Sequence, residues 1–254
     1  MAQTQEARMV SGREKHRWRD PEQRLPRPLR FLYNHSISIA MLTLFALSLM
    51  AQSITGYRNQ PHAAQTGFSA YVQYIASDDF LETIAENWEG EFLPLTAYIF
   101  FTSFLHERGA KESRQPNERR PEKTDEDPAK YPEPDRKDVP WPVRVGGPVA
   151  WIYMHSLLLG FLLIFLAAVA THALTGLGTF NSMLALRHEP PTNIFGYMAS
   201  NTFWLQSTRN WEAGFFSTAM LAVFSIFLRE KGSPVSKVGD QPDKATGEEE
   251  SAAD

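Results

Sequence analysis

The chain has no cysteine among its 254 residues. That excludes disulfides, thiolate metal sites, a catalytic thiol and a c-type haem attachment motif, and it removes any redox clue to the compartment. Also missing are a phosphate-cradling glycine loop, a His-Glu-x-x-His metalloprotease helix and a Gly-x-Ser-x-Gly elbow, so no catalytic signature points to an enzyme. Charge is absent from two long stretches. Phe31–Tyr57 runs 27 residues, and Val145–Leu186 runs 42, without Asp, Glu, Lys or Arg. The mean hydropathy of −0.32 looks like that of a soluble protein. It averages over apolar runs and the charges between them, so the runs decide the class. A hydrocarbon core about 30 Å thick takes roughly 20 helical residues, and both runs are long enough.

Five regions follow from this distribution. Residues 1–30 hold eight Lys/Arg and read as a basic cytoplasmic tail ahead of an uncleaved anchor helix. Residues 31–109 form a first unit with predicted crossings near 34–56 and 87–106. Residues 110–148, with eight prolines between Pro116 and Pro148, form a charged linker that cannot build a core. Residues 149–236 form a second unit with predicted crossings near 151–175 and 210–228. Residues 237–254 are an acidic tail. The two units match each other. At an offset of 120, Tyr33, His35, Ser36, Thr55 and Gly56 recur as Tyr153, His155, Ser156, Thr175 and Gly176. At 123, Tyr74, Ala76, Ser77 and Phe80 recur as Tyr197, Ala199, Ser200 and Phe203, and Asn87-Trp88-Glu89 as Asn210-Trp211-Glu212. Thirteen of the 36 positions from 74 to 109 are identical, clustered in motifs, which is a duplication signal.

The predicted fold is therefore an all-α membrane protein. It has four transmembrane helices as two parallel two-helix repeats, with short amphipathic outer helices. Phe80, Leu81, Ile84, Trp88 and Phe92, at helical spacing, predict an amphipathic helix leading into the second crossing, and Glu189-Pro190-Pro191 marks an outer turn. Of 25 Lys/Arg, 22 lie in the tails and the linker, and only Arg58, Arg187 and Arg209 lie in the two intervening segments. The positive-inside rule then places both termini and the linker in the cytoplasm, with anionic headgroups as the partner of the basic arm and no nucleic acid.

Asn-Trp-Glu falls near the outer membrane edge in both units, because Phe92–His106 alone is too short to span. One reading is anchoring: Trp suits the interface, and Asn and Glu suit a first helical turn. The sharper reading makes Asn87, Trp88, Glu89, Asn210, Trp211 and Glu212 an ion or polar site, with Glu89 and Glu212 facing each other. His35, His106 and His155 share one cytoplasmic level and are the candidates for a metal or haem. Arg229 stands in the place matching His106, however, and Gln52 in the place matching His172, so helix capping is the simpler role and no cofactor is expected.

The duplicated Asn-Trp-Glu, Tyr-x-His-Ser at 33–36 and 153–156, Trp-Pro-Val-Arg at 141–144 and Phe-Leu-Arg-Glu-Lys-Gly-Ser-Pro at 227–234 carry a resemblance. Over about residues 30–236 the chain resembles a bacterial membrane-protein family of unknown function with this duplicated two-helix repeat. The resemblance implies a multi-pass protein of the bacterial inner (plasma) membrane and supplies no activity or catalytic residue. The functional reading is a small passage or an ion or ligand site between the two repeats, in a homo-oligomer. The alternative is a structural or partner-binding membrane protein without transport or catalysis.

Overall fold

The computed structural model describes residues 25–60, 67–108, 110, 140–231 and 233–237. The basic arm before residue 25, residues 111–139 of the linker and the acidic tail after residue 237 lie outside the described residues. Those that are described are helical or irregular, with no strand among them. The helices are α1 (Arg27–Asn34), α2 (Ser36–Asn59), α3 (Phe68–Ile75), α4 (Asp78–Thr102), α5 (Trp141–Val145), α6 (Gly147–Met154), α7 (Ser156–Leu186), α8 (Ile194–Met198) and α9 (Asn201–Phe227). They divide into two units, Met1–Tyr71 and Val72–Asp254.

In the first unit, Pro28 sits in the first turn of α1, where a missing N–H costs nothing. The chain breaks at His35 (φ −115°, ψ 18°) and resumes as α2. α2 is predominantly apolar, and three of its hydroxyls, those of Thr43, Ser53 and Thr55, bond back to the helix's own carbonyls. Thr43 donates to the Ile39 carbonyl at 2.7 Å and Thr55 to the Ala51 carbonyl at 2.7 Å. Its buried residue, Ser53, also pairs with the Tyr71 hydroxyl at 2.7 Å.

The second unit carries the long helices α4, α7 and α9. Ser77 caps α4, accepting from the Phe80 N–H, and Ser200 caps α9 in the same way through Phe203. Gly146, at φ 73°, supplies the left-handed turn between α5 and α6. His155 (φ −103°, ψ 9°) then breaks α6 from α7 as His35 breaks α1 from α2. α4 packs against both α7 and α9. Where α4 crosses α9 there is no room for side chains. A Cβ on Gly90 would lie 2.6 Å from the Asn210 Cβ and 2.9 Å from its carbonyl oxygen, and one on Gly214 would run into the Gly90 carbonyl. Outside that crossing, Ala173, Tyr197 and Phe203 form an apolar cluster with Val169, Leu177, Phe180, Ile194 and Met198 around it.

Two helices, α2 and α7, are long and apolar enough to cross a membrane. A core helix of a soluble protein would be mostly buried; in their most apolar stretches, 6% of α2 and 17% of α7 is buried. Four such helices were predicted. α4 and α9 have the length, 25 and 27 residues, but acids interrupt α4 from Asp78 to Glu91, and Arg209 and Glu212 interrupt α9. Boundaries also moved. α4 absorbs the predicted outer amphipathic helix and ends at Thr102, short of His106, while α7 runs past Thr175 to Leu186. The turn at Glu189-Pro190-Pro191 is where the prolines put it, tied down by Asn181, whose amide donates to the Thr192 carbonyl at 3.1 Å and accepts the Thr192 N–H at 2.8 Å.

Candidate functional site: a buried carboxylate–histidine cluster

On α4, Glu82, Glu86 and Glu89 follow one another at spacings of four and three, which stacks them on one helix face. That face is turned inward: Glu82 is 6% exposed, Glu89 is fully buried, and the Glu86 side chain is 21% exposed. Opposite them α7 presents His172, also fully buried. Its Nδ1 lies 2.9 Å from Glu89 Oε2, and its ring stacks on Phe203 with centroids 4.7 Å apart. The second Glu89 oxygen accepts from Trp211 Nε1 at 2.9 Å. A buried carboxylate is costly unless each oxygen has a donor, and here both do.

On its far edge the imidazole faces a second group. His172 Nε2 is 3.3 Å from the Tyr197 hydroxyl and 3.7 Å from Glu86 Oε1. Tyr197 donates to Gln206 Oε1 at 3.1 Å, and Gln206 Nε2 donates to Glu82 Oε1 at 3.1 Å. Burial, and after it the Glu82 charge, pushes the Tyr197 phenol above its ordinary value, so the ring keeps its proton. Gly176 makes the approach possible, since a Cβ there would run into the Tyr197 hydroxyl and lie 2.9 Å from Glu82 Oε1. One atom each from Glu82, Glu86 and His172 lie within 4.8 Å of one another, close enough to hold a single metal ion.

The site contains some of the residues predicted from sequence. Glu89 and Trp211 are at its centre, bonded to each other across the two motif copies. Asn210 is at the α4–α9 crossing, donating to the Gln206 carbonyl at 3.2 Å. Asn87, Trp88 and Glu212 are exposed, so the expected pair of facing carboxylates is not formed. His35 and His155 sit at the two helix breaks, each ring against an aromatic one turn earlier, Phe31 and Trp151, at 4.5 Å. His106 is exposed beyond the end of α4. None of these three belongs to the metal-capable group found among the described residues.

Sequence reasoning missed Glu82, Glu86, His172, Tyr197 and Gln206. A signal for three of them was present: where the two matched segments of sequence differ, Glu82 stands against Leu205, Glu86 against Arg209 and His172 against Gln52. Glu89, Trp211 and Tyr197 lie at positions the segments share, so identity carried part of the site and difference the rest.

The chain belongs to the family described as domain of unknown function (DUF6766), which matches residues 28–248. No curated protein and no solved structure matches it.

Proposed function

We propose that this family member is an integral membrane protein whose working part is a buried cation site between its two halves. The chain crosses the membrane four times as two parallel two-helix repeats, with both termini and the linker on the cytoplasmic side. Several observations support the repeat. Ser77 and Ser200 cap their helices at nearly the same dihedrals (φ −77°, ψ 154° and φ −78°, ψ 152°), and His35 and His155 break theirs alike. α2 and α7 supply the lipid-facing apolar length. α4 and α9 turn part of their polarity inward, Glu82 and Glu89 from one and Ser207 from the other. From Thr102, Glu89 lies 13 residues back along α4, about 20 Å at 1.5 Å per residue, which puts the cluster toward the outer side.

The observation that carries the site is the imbalance of charge around His172. Three carboxylates meet one imidazole, and among the described residues the exposed Arg209 acts on Glu86 from outside. In a medium of low dielectric, excess negative charge is relieved by a proton or by a bound cation, and the convergence of Glu82, Glu86 and His172 on one point favours the cation. The membrane part is tested by single cysteines at Ser69, Gln115 and Ser251. Only position 69 should react with an impermeant reagent in intact cells, and labelling at 115 would end the four-crossing arrangement. The site is tested by thermal unfolding of the detergent-purified chain against Na⁺, K⁺, Mg²⁺, Ca²⁺, Mn²⁺ and Zn²⁺. At least one ion should raise the midpoint of the wild type and leave the Glu82→Gln/Glu86→Gln variant unmoved. Indifference to every ion would leave the structural, partner-binding reading standing instead.

A further inference from the structure

We propose that Glu82, Glu86 and Nε2 of His172 are the protein ligands of a divalent first-row transition-metal ion, with Glu89 as the outer carboxylate that orients the histidine. The inference rests on the cation-site reading above and narrows it to one class of ion.

The donor set makes the selection. Magnesium and calcium are held by oxygen alone, whereas an imidazole nitrogen beside two carboxylates suits Mn²⁺, Fe²⁺, Co²⁺ or Zn²⁺, and the chain has no cysteine thiolate to favour softer ions. The 3.7 Å between His172 Nε2 and Glu86 Oε1 fits two ligands of one ion, each about 2.1 Å from it. The Glu89–His172 bond of 2.9 Å is the arrangement in which metal-bound histidines are usually found: a carboxylate accepts the proton of one ring nitrogen and leaves the lone pair of the other for the metal. Trp211 holds that carboxylate in turn at 2.9 Å.

The far edge of the ring is where the donors converge: His172 Nε2 lies 3.3 Å from the Tyr197 hydroxyl and 3.7 Å from Glu86 Oε1, Tyr197 donates to Gln206 Oε1, and Gln206 Nε2 donates to Glu82. With Nδ1 turned to Glu89, Nε2 is the ring nitrogen left to face Glu86 and Glu82 as a ligand. Ser207 independently marks the same region. It is fully buried, and its hydroxyl has no hydrogen-bond partner among the protein's atoms. It sits on α9 one turn after Phe203, which stacks on His172, and one turn before Trp211, which bonds Glu89. That register aims it at the His172–Glu89 pair, where an ion's water would give it a partner.

The test uses the full chain in detergent, stripped with a chelator and dialysed against Mn²⁺, Co²⁺ or Zn²⁺, with bound metal counted by elemental analysis. One ion per chain is expected. Bound Co²⁺ should show the visible absorption of a nitrogen- and oxygen-ligated site, which loses its nitrogen contribution in His172→Asn. Glu82→Gln/Glu86→Gln should bind no metal. Glu89→Gln should bind 10- to 100-fold more weakly, as outer-shell changes do. The exposed Glu212→Gln should match the wild type. Retained helical circular dichroism identifies variants that fold, and the wild-type count stands whatever the variants do. A wild type that takes up none of the three ions overturns the proposal, as does undiminished binding by the double glutamine variant. If Mg²⁺, Ca²⁺ or an alkali ion still raises the unfolding midpoint, the transition-metal assignment fails and the cation site survives. If no ion acts in either assay, both fall.

Discussion

α4 and α9 carry the same tripeptide on the same kind of capped helix and use it differently. In α4, Glu89 is buried and takes hydrogen bonds from both sides, while Trp88 is 40% exposed. In α9 the roles reverse: Trp211 reaches inward to Glu89, and Glu212 points outward. The helix crossing explains the reversal. Gly90 directly follows Glu89 and lets the Asn210 backbone come close, which seats the Glu89 side of α4 against the Asn210–Trp211 side of α9. Two copies of one motif that met symmetrically would have to bury both acids. Meeting off register, they bury one acid and supply its donor. The flanking positions widen the difference, Glu82 and Glu86 in one helix against Leu205 and Arg209 in the other. Two helices that share a tripeptide and a cap thus present one wall of acids and one wall of donors.

The comparison breaks first at the acids. Glu89→Ala removes the partner of two buried donors and should cost about 3–5 kcal/mol, as the loss of one member of a buried pair does. Glu212→Ala, at an exposed position, should stay within about 0.5 kcal/mol of wild type. Denaturant unfolding in detergent, followed by circular dichroism, measures both, and equal costs would mean that the two copies are equivalent after all. The tryptophans come next. Trp211→Phe keeps the ring packing and deletes the bond to the Glu89 carboxylate, worth about 1.5–3 kcal/mol for a charged acceptor. Trp88→Phe should cost about 0.5 kcal/mol or less in the same assay.

Much of the frame was legible beforehand. The uncharged runs marked α2 and α7, and the prolines at 190 and 191 located the outer turn. Ser77 and Ser200 stood in the sequence only as matched positions, and their capping role came from the structure. The extent of α4 was not legible, because its acids looked like the end of a membrane segment when they are one inward stripe of a longer helix. His172 was passed over for a related reason. Periodicity says which face of a helix a residue occupies and nothing about which distant helix that face meets, and His172 and Glu89 are 83 residues apart. Its mismatch with Gln52 looked like a missing partner; its partners lay on α4.

The glycines sharpen the comparison further, because their effects should differ in sign. Gly90→Ala would push a methyl into the Asn210 backbone and should destabilise by about 1–3 kcal/mol, the usual cost of overpacking. Gly160, inside α7, has nothing within 4 Å of where a Cβ would stand. Gly160→Ala should therefore stabilise by about 0.5–1 kcal/mol through helix propensity alone. If both alanines were tolerated alike, the close α4–α9 crossing would be wrong, and with it the reason the two motifs meet off register.

The smallest difference is expected at the caps, where the two helices are still alike. Ser77 Oγ accepts the Phe80 N–H at 3.4 Å, and Ser200 Oγ accepts the Phe203 N–H at 3.2 Å. Either serine changed to alanine leaves that N–H without its partner and should cost about 1 kcal/mol. Ser77 also donates to the Tyr74 carbonyl at 2.6 Å, so its loss should be the larger of the two, by about 0.5 kcal/mol at most, since local side-chain-to-backbone bonds of this kind add little. The measurement is the pair of unfolding free energies under one set of conditions. Near-equality would place the caps among the features the two helices share, five residues before Glu82 and Leu205, where their sequences differ. A cost confined to Ser77 would mean that the cap supports the acidic face directly, by fixing where α4 starts and so where Glu82, Glu86 and Glu89 point.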